Sequence, residues 1–244
     1  MINEKVRRQY GRVGKGGNME PTKPECAKCG VKERICHSPE GQGPPFCPTV
    51  YRTGPILQAC EEYGKSEISE FAKEASIQEA ECYVNRNLKP YILHPTKPRV
   101  QETCEFAQKM GYKRLGIAFC AGLHKEALSL TRIFESQGFE VASVVCKVGG
   151  TPKEKIGIKE EDKVRIGEFE SMCSPIAQAM VLNEQKTDFN ILVGLCVGHD
   201  SLFLKYSDAF CTVLVTKDRV LAHNPVAALY TSGSYYARML RKGF

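Results

Sequence analysis

Four short, nearly continuous apolar runs constrain this chain more than any other feature. They are Leu115 to Phe119 (LGIAF), Phe139 to Val145 (FEVASVV), Asn190 to Leu195 (NILVGL) and Cys211 to Thr216 (CTVLVT). Each has strand length, and amphipathic stretches separate them. Leu123 to Gln137 has helical spacing and is stopped by Gly138. Ser174 to Gln185 opens with Ser at the N-cap and Pro in the first turn. Asp200 to Tyr206 is a short third helix with Asp200 as its cap. Apolar strands alternating with helices indicate a parallel sheet covered on both faces, joined by right-handed crossovers. Residues 112–244 are therefore expected to form a small Rossmann-like α/β domain of about four strands, with a helical C-terminus.

The chain before it reads differently. Residues 55–111 carry helical periodicity, broken by Pro90, Pro95 and Pro98, with a second helix from Val100 to Met110 ending at Gly111. Residues 26–54 are rich in Cys, Gly and Pro, have little apolar periodicity, and need a staple to hold them. Residues 1–25 read as a flexible basic tail. Lys5, Arg7, Arg8, Arg12 and Lys15 against Glu4 supply +4 of the net charge of +6. No basic stripe remains for the folded part, so no nucleic-acid partner is expected. No run of 18 apolar residues exists and the start lacks an apolar signal core, so neither membrane nor export is expected.

Twelve cysteines in 244 residues are the chemical signature. Without an export signal the expected compartment is the reducing cytoplasm, where cysteine spacing points to metals or catalysis rather than disulfides. Cys60, Cys82, Cys104 and Cys211 sit on apolar stripes and read as packing residues. The other eight form two sets.

Cys120, Cys146 and Cys196 follow the first three strands, and Cys173 precedes the Ser174-Pro175 helix start. A parallel sheet delivers its strand ends to one edge, where open α/β sheets bind ligands. Helix N-termini there favour thiolates and anionic metal–thiolate centres. These four cysteines are expected to hold a [4Fe–4S] cluster, which tolerates scattered ligands. Gly122, Gly149 and Gly198 would let the backbone approach the cofactor, and His199 is a candidate donor to it. In the second set, Cys26-Ala-Lys-Cys29 is a knuckle, followed by Cys36 and Cys47. The four lie within 22 residues, close enough for one all-thiolate site holding zinc or a second iron–sulfur cluster. His37 is an alternative ligand to Cys36.

The stretches CAKCG…PPFCPT, GIAFCAGL, CKVGG, MCSPIAQA, LCVGHDSLF and VTKDRVLAHNPVAALY resemble the domain of unknown function 1847 family. This is a widespread prokaryotic family generally labelled metal-binding. The resemblance spans about Cys26 to Tyr230. It implies metal and no settled reaction, with cysteine motifs coinciding at Cys26, Cys29, Cys47, Cys120, Cys146, Cys173 and Cys196. The spacing around Cys36 departs from the pattern.

Three functions compete. One is an iron–sulfur protein with a redox role, served by a redox partner protein or a small anionic substrate. The second is a non-catalytic zinc-binding interaction or metal-handling protein. The third is an α/β enzyme holding a small anion through Gly149-Gly150 and Lys217 of the Lys217-Asp218-Arg219 trio. No G-x-S-x-G elbow supports serine hydrolase chemistry, and no full phosphate-binding glycine motif occurs.

Overall fold

The computed structural model describes residues 23–244, so most of the basic tail lies outside the described residues. The chain divides into two compact units, Met1–Ala80 and Glu81–Phe244.

In the first unit the cysteine-rich segment forms a single 3-10 turn at Cys26–Lys28, a backbone bridge between Arg34 and Gln42, and helix α1 (Pro48–Tyr51). Helices α2 (Thr53–Glu62) and α3 (Ser66–Glu81) follow. Among its described residues the only buried apolar side chain is Cys47. The apolar spacing in α2 and α3 therefore builds helices without a deep core beneath them.

The second unit opens with a two-residue antiparallel pair, β1 (Tyr83–Val84) with β2 (His94–Pro95), and helix α4 (Arg99–Lys109). The main sheet holds β3 (Arg114–Phe119), β4 (Glu140–Val145), β5 (Phe189–Val193) and β6 (Phe210–Val215). All neighbours are parallel, in the order β4-β3-β5-β6. This is the expected Rossmann-like α/β sheet. The chain runs from β3 to one side and returns to the other, so a topological switch falls between β3 and β5. Helix α5 (His124–Ser136) joins β3 to β4, α6 (Pro175–Glu184) precedes β5, and α7 (His199–Tyr206) joins β5 to β6. Gly111 and Gly138 end their helices at φ +68 and +89, as the sequence suggests.

Strand alternation sorts the core into two faces. Ala118, Val144 and Leu192 pack with Ala179 and Leu182 of α6 and Phe203 of α7. Their neighbours Ile117, Ile191 and Val193 point the other way and are equally buried. At the amino ends of the strands, polar groups clamp the sheet. Asp188 accepts the backbone N–H groups of Lys113 and Arg114 at 2.7 and 2.8 Å. The fully buried Asn190 accepts from Thr187 at 2.8 Å and donates to Ser207 at 2.9 Å. Every polar atom of that amide side chain thus has a partner at hydrogen-bond distance.

Three expectations change in detail. Strand β5 ends at Val193, so Cys196 does not follow it directly. Gly198, not Asp200, caps α7; Asp200 already stands inside the first turn, where its carboxylate accepts the Ser201 N–H at 2.8 Å. The C-terminus carries only α8 (Val226–Tyr230) and a 3-10 turn at Ala237–Leu240. Leu229, Tyr230, Tyr235 and Leu240 there are all exposed, so no buried face supports a longer helix.

Gly116 of β3 lies against the Asn190 amide, which a Cβ would overlap, and a Cβ would meet Leu182 Cδ1 at 3.0 Å. Gly116→Ala is expected to lower unfolding stability by about 1–3 kcal/mol through overpacking, measured by urea titration. A change under about 0.5 kcal/mol would mean that this contact is not tight.

Candidate functional site

Three cysteines meet at the carboxyl edge of the main sheet, each brought by a different connection. Cys120 is the residue after β3, and Cys146 the residue after β4. Parallel pairing of these two strands in register puts them side by side at the rim. Cys173 comes from the far end of the long polar connection between β4 and α6. Its sulfur lies 3.8 Å from that of Cys146.

That connection is a built structure rather than loose chain. The Lys163 ammonium is buried and pairs with Glu154 at 2.6 Å and Glu160 at 2.7 Å. Glu170 pairs with Lys153 at 2.8 Å and accepts the N–H of Val164 at 2.9 Å. The ends of the loop are tied by Met172 N–H to the Thr151 carbonyl at 2.7 Å. Cys173 is then pinned from both sides. Lys147 Nζ donates to the Ser171 carbonyl, and Ser174 N–H donates to the Cys146 carbonyl at 2.7 Å. Gln178, fully buried in α6, donates to the carbonyls of Phe119 and Val144 at 3.2 and 2.7 Å. It ties α6 to the strand ends that carry Cys120 and Cys146.

The three thiols differ in chemistry. Cys120 is held well below the usual thiol range, first by the Cys146 S–H, then by the Gly122 N–H and Lys217. Cys173 is also lowered, first by Cys146, then by the charges of Lys147 and His199. Cys146 is pushed up, because its proton serves the other two sulfurs and its own site is buried. The Ala121 N–H donates to Cys146 Sγ at 3.3 Å.

The other expected site residues take different places. Gly122 is a close-approach position: a Cβ there would come within 3.9 Å of Cys120 Sγ and 4.0 Å of Lys217 Nζ. His199 opens α7, Gly198 caps it, and Gly149 shapes the turn after Cys146 with φ +87. Cys196 stands apart in its bonding: its sulfur accepts from Arg219 Nη2 at 3.0 Å. Of the remaining cysteines, Cys82 and Cys104 are buried and Cys60 and Cys211 half-buried, as suits packing residues. Burial raises the thiols of Cys104 and Cys211.

In the first unit Cys26, Cys29, Cys36 and Cys47 all line one small cavity of about 110 Å³. His37 is exposed and does not line it. Arg34 holds the surrounding loop through the carbonyls of Val31 at 3.0 Å and Cys29 at 3.4 Å. Gly43 passes so close to Cys47 that a Cβ would lie 2.9 Å from its sulfur. Among the described residues no group of three or more His, Cys, Asp or Glu side chains is arranged to hold a metal ion as it stands. At the sheet edge the sulfurs of Cys146 and Cys173 lie 3.8 Å apart.

Lys147 and Gln178 escaped the reading of the sequence. Nothing marks a lysine that reaches a carbonyl 24 residues on, or a glutamine facing inward on a helix. A second, open groove of about 480 Å³ lies between α5, Val193 and Val215, and none of the twelve cysteines lines it. No described helix is long and apolar enough to cross a membrane.

Comparison with known proteins gives two matches. The family model for proteins of unknown function DUF1847 matches residues 47–214, which leaves Cys26, Cys29 and Cys36 outside it. An uncharacterized protein of Methanocaldococcus jannaschii is 46% identical over 183 residues, covering 75% of this chain and 86% of the relative.

Cys120 and Cys173 should be thiolates at a pH where an ordinary thiol keeps its proton. In chelator-treated protein, brief iodoacetamide treatment at about pH 6 is expected to label these two ahead of Cys104 and Cys211. Peptide mass mapping reads the order, and equal labelling of all four would refute it.

Proposed function

The chain belongs to the DUF1847 family of proteins of unknown function, and on that premise we propose that it is a metal–thiolate protein with its working centre at the sheet edge. The observation that carries this reading is the convergence of Cys120, Cys146 and Cys173 from three separate connections. Buried thiols that merely fill space do not need a long ion-paired loop to bring in a third. The donor set suits soft metals: zinc, copper(I) or iron–sulfur.

The spacing supports a single ion. Two sulfurs on one tetrahedral metal with bonds of about 2.3 Å stand about 3.8 Å apart, which is the Cys146–Cys173 separation of 3.8 Å. A [4Fe–4S] cube takes each thiolate on a different iron and requires these sulfurs to separate. The iron–sulfur reading keeps one support. Lys147 and Lys217 bring positive charge to the thiols, which would stabilise an anionic cluster. Bound zinc would supply Lewis acidity, whereas a cluster would supply electron transfer and call for a redox partner protein. In either case Cys120, Cys146 and Cys173 would hold the metal, and Lys147 and Lys217 would balance the charge.

The N-terminal set is proposed as a structural zinc site on Cys26, Cys29, Cys36 and Cys47. Their common cavity supports this reading, as does the finding that, among the described residues of the first unit, Cys47 is the only buried apolar side chain. A segment without a core gains its folding free energy from the metal.

Protein purified without oxygen is expected to carry metal at the sheet edge, lost on replacement of Cys146 by Ala. Elemental analysis with acid-labile sulfide separates the two forms. Zinc without sulfide fits the single ion, and iron with equimolar sulfide fits the cluster. Anaerobically purified and reconstituted protein that holds neither at this edge would refute the centre. For the N-terminal site, chelation is expected to open residues 26–54 to trypsin while the sheet persists, as read by circular dichroism and mass mapping. Unchanged protection after complete zinc removal would refute that site.

A further inference from the structure

Cys146 and Cys173 are 27 residues apart in the chain, yet their sulfurs stand 3.8 Å from each other. Both are free thiols. A disulfide holds its sulfurs at about 2.05 Å and cannot close where the two backbones lie too far apart. Here the backbones are already tied. Ser174 N–H donates to the Cys146 carbonyl at 2.7 Å, and Lys147 Nζ donates to the Ser171 carbonyl. Closing the remaining gap is then a matter of side-chain rotation on an anchored backbone. Nearby cysteines are engaged elsewhere: Cys196 with Arg219 at 3.0 Å, and Cys211 with Ser207 at 3.2 Å.

The two sulfurs also differ in access. Cys146 is 4% exposed, whereas Cys173 is half-buried. A small oxidant therefore meets Cys173 first and finds Cys146 beside it. The Ala121 N–H donates to Cys146 Sγ at 3.3 Å, a backbone donor placed to stabilise negative charge on the attacking sulfur.

We propose that Cys146 and Cys173 form a reversible dithiol–disulfide site, closed by a hydroperoxide and opened by a dithiol reductant. The reaction uses only the chain's own thiols and goes beyond the metal reading above. In the first step the Cys173 sulfur attacks the peroxide. An S–O bond forms, the O–O bond breaks, and water or an alcohol leaves, so that Cys173 becomes a sulfenic acid. The Cys146 sulfur then attacks the Cys173 sulfur. The S–S bond forms, and the hydroxyl departs as water with the Cys146 proton. The two thiols lose two electrons, and the peroxide gains them. In the reverse direction one thiolate of the reductant opens the bond as a mixed disulfide. Its second thiol displaces the chain's sulfur, which restores both cysteines and leaves the reductant as a disulfide. The closed bond fastens the far end of the polar connection to the end of β4.

The test uses the full chain, reduced, freed of metal with a chelator and treated with one equivalent of hydrogen peroxide. Peptide mapping without reduction reads each cysteine separately, so oxidation of the exposed Cys26 and Cys36 does not obscure the result. The Cys146–Cys173 linked peptide is expected as the main cross-link among Cys120, Cys146 and Cys173, and dithiothreitol should remove it. Cys146→Ala should lose the cross-link and leave Cys173 as a sulfenic acid, trapped by dimedone. Cys173→Ala should lose the cross-link and leave Cys146 reduced. Circular dichroism checks folding, and the serine variants repeat the measurement where an alanine variant is not folded. A Cys120–Cys146 link as the main product would overturn the pairing. Folded wild type with no Cys146–Cys173 link after the peroxide is consumed would overturn the site. A sulfenic acid on Cys146 in Cys173→Ala would overturn the order of attack. Metal content is measured on separate, untreated protein, so failure of this site and failure of the metal reading are read independently.

Discussion

The backbone hydrogen bond from Ser174 to the Cys146 carbonyl closes the site on which the rest of the molecule converges. Two of the three clustered thiols arrive by default. Parallel strands paired in register must release their chains at the same edge, so Cys120 and Cys146 are neighbours once β3 and β4 pair. The third has to be brought back from a long excursion. The Ser174 bond, the Lys147 reach to Ser171 and the buried Lys163 with its two glutamates do this. Burying a lysine is costly unless it is paired, and here it is paired twice. Loss of one partner would loosen the loop that delivers Cys173, far from the sulfur itself.

The two ends of the sheet are consequently built on different principles. At the amino end, Asp188 and Asn190 have their side-chain hydrogen bonds answered within the protein, and that end is a clamp. At the carboxyl end three cysteine thiols gather, with Lys147 and Lys217 beside them. Cys120 and Cys173 are lowered there, whereas burial raises the isolated thiols of Cys104 and Cys211. Cys146 belongs both to the core cluster and to the thiol cluster. Packing at Ala118, Val144 and Leu182 thereby bears directly on where the central sulfur sits.

The first unit follows a different logic. Its helices carry apolar spacing, yet among its described residues only Cys47 is buried as an apolar side chain. Hydrophobic burial there is too small to offset the entropy of ordering the cysteine segment. On the proposed reading, a metal held by the four cysteines that line the cavity of about 110 Å³ would supply that folding free energy.

Periodicity alone determined the sheet, its parallel sense, the helix stops at Gly111 and Gly138 and the sorting of Cys82 and Cys104 into the interior. These follow from local steric preference and from which faces must avoid water, both written in residue order. Cysteine spacing grouped Cys26, Cys29, Cys36 and Cys47, and these four line one cavity. Residue order could not separate Cys196 from Cys120, Cys146 and Cys173, because all four lie near the same rim. Where β5 stops, which sulfur Arg219 takes and how far Lys147 reaches are set by side chains from distant segments meeting in space. Those contacts depend on crossover paths and loop closure, so only the folded chain decides which thiols touch.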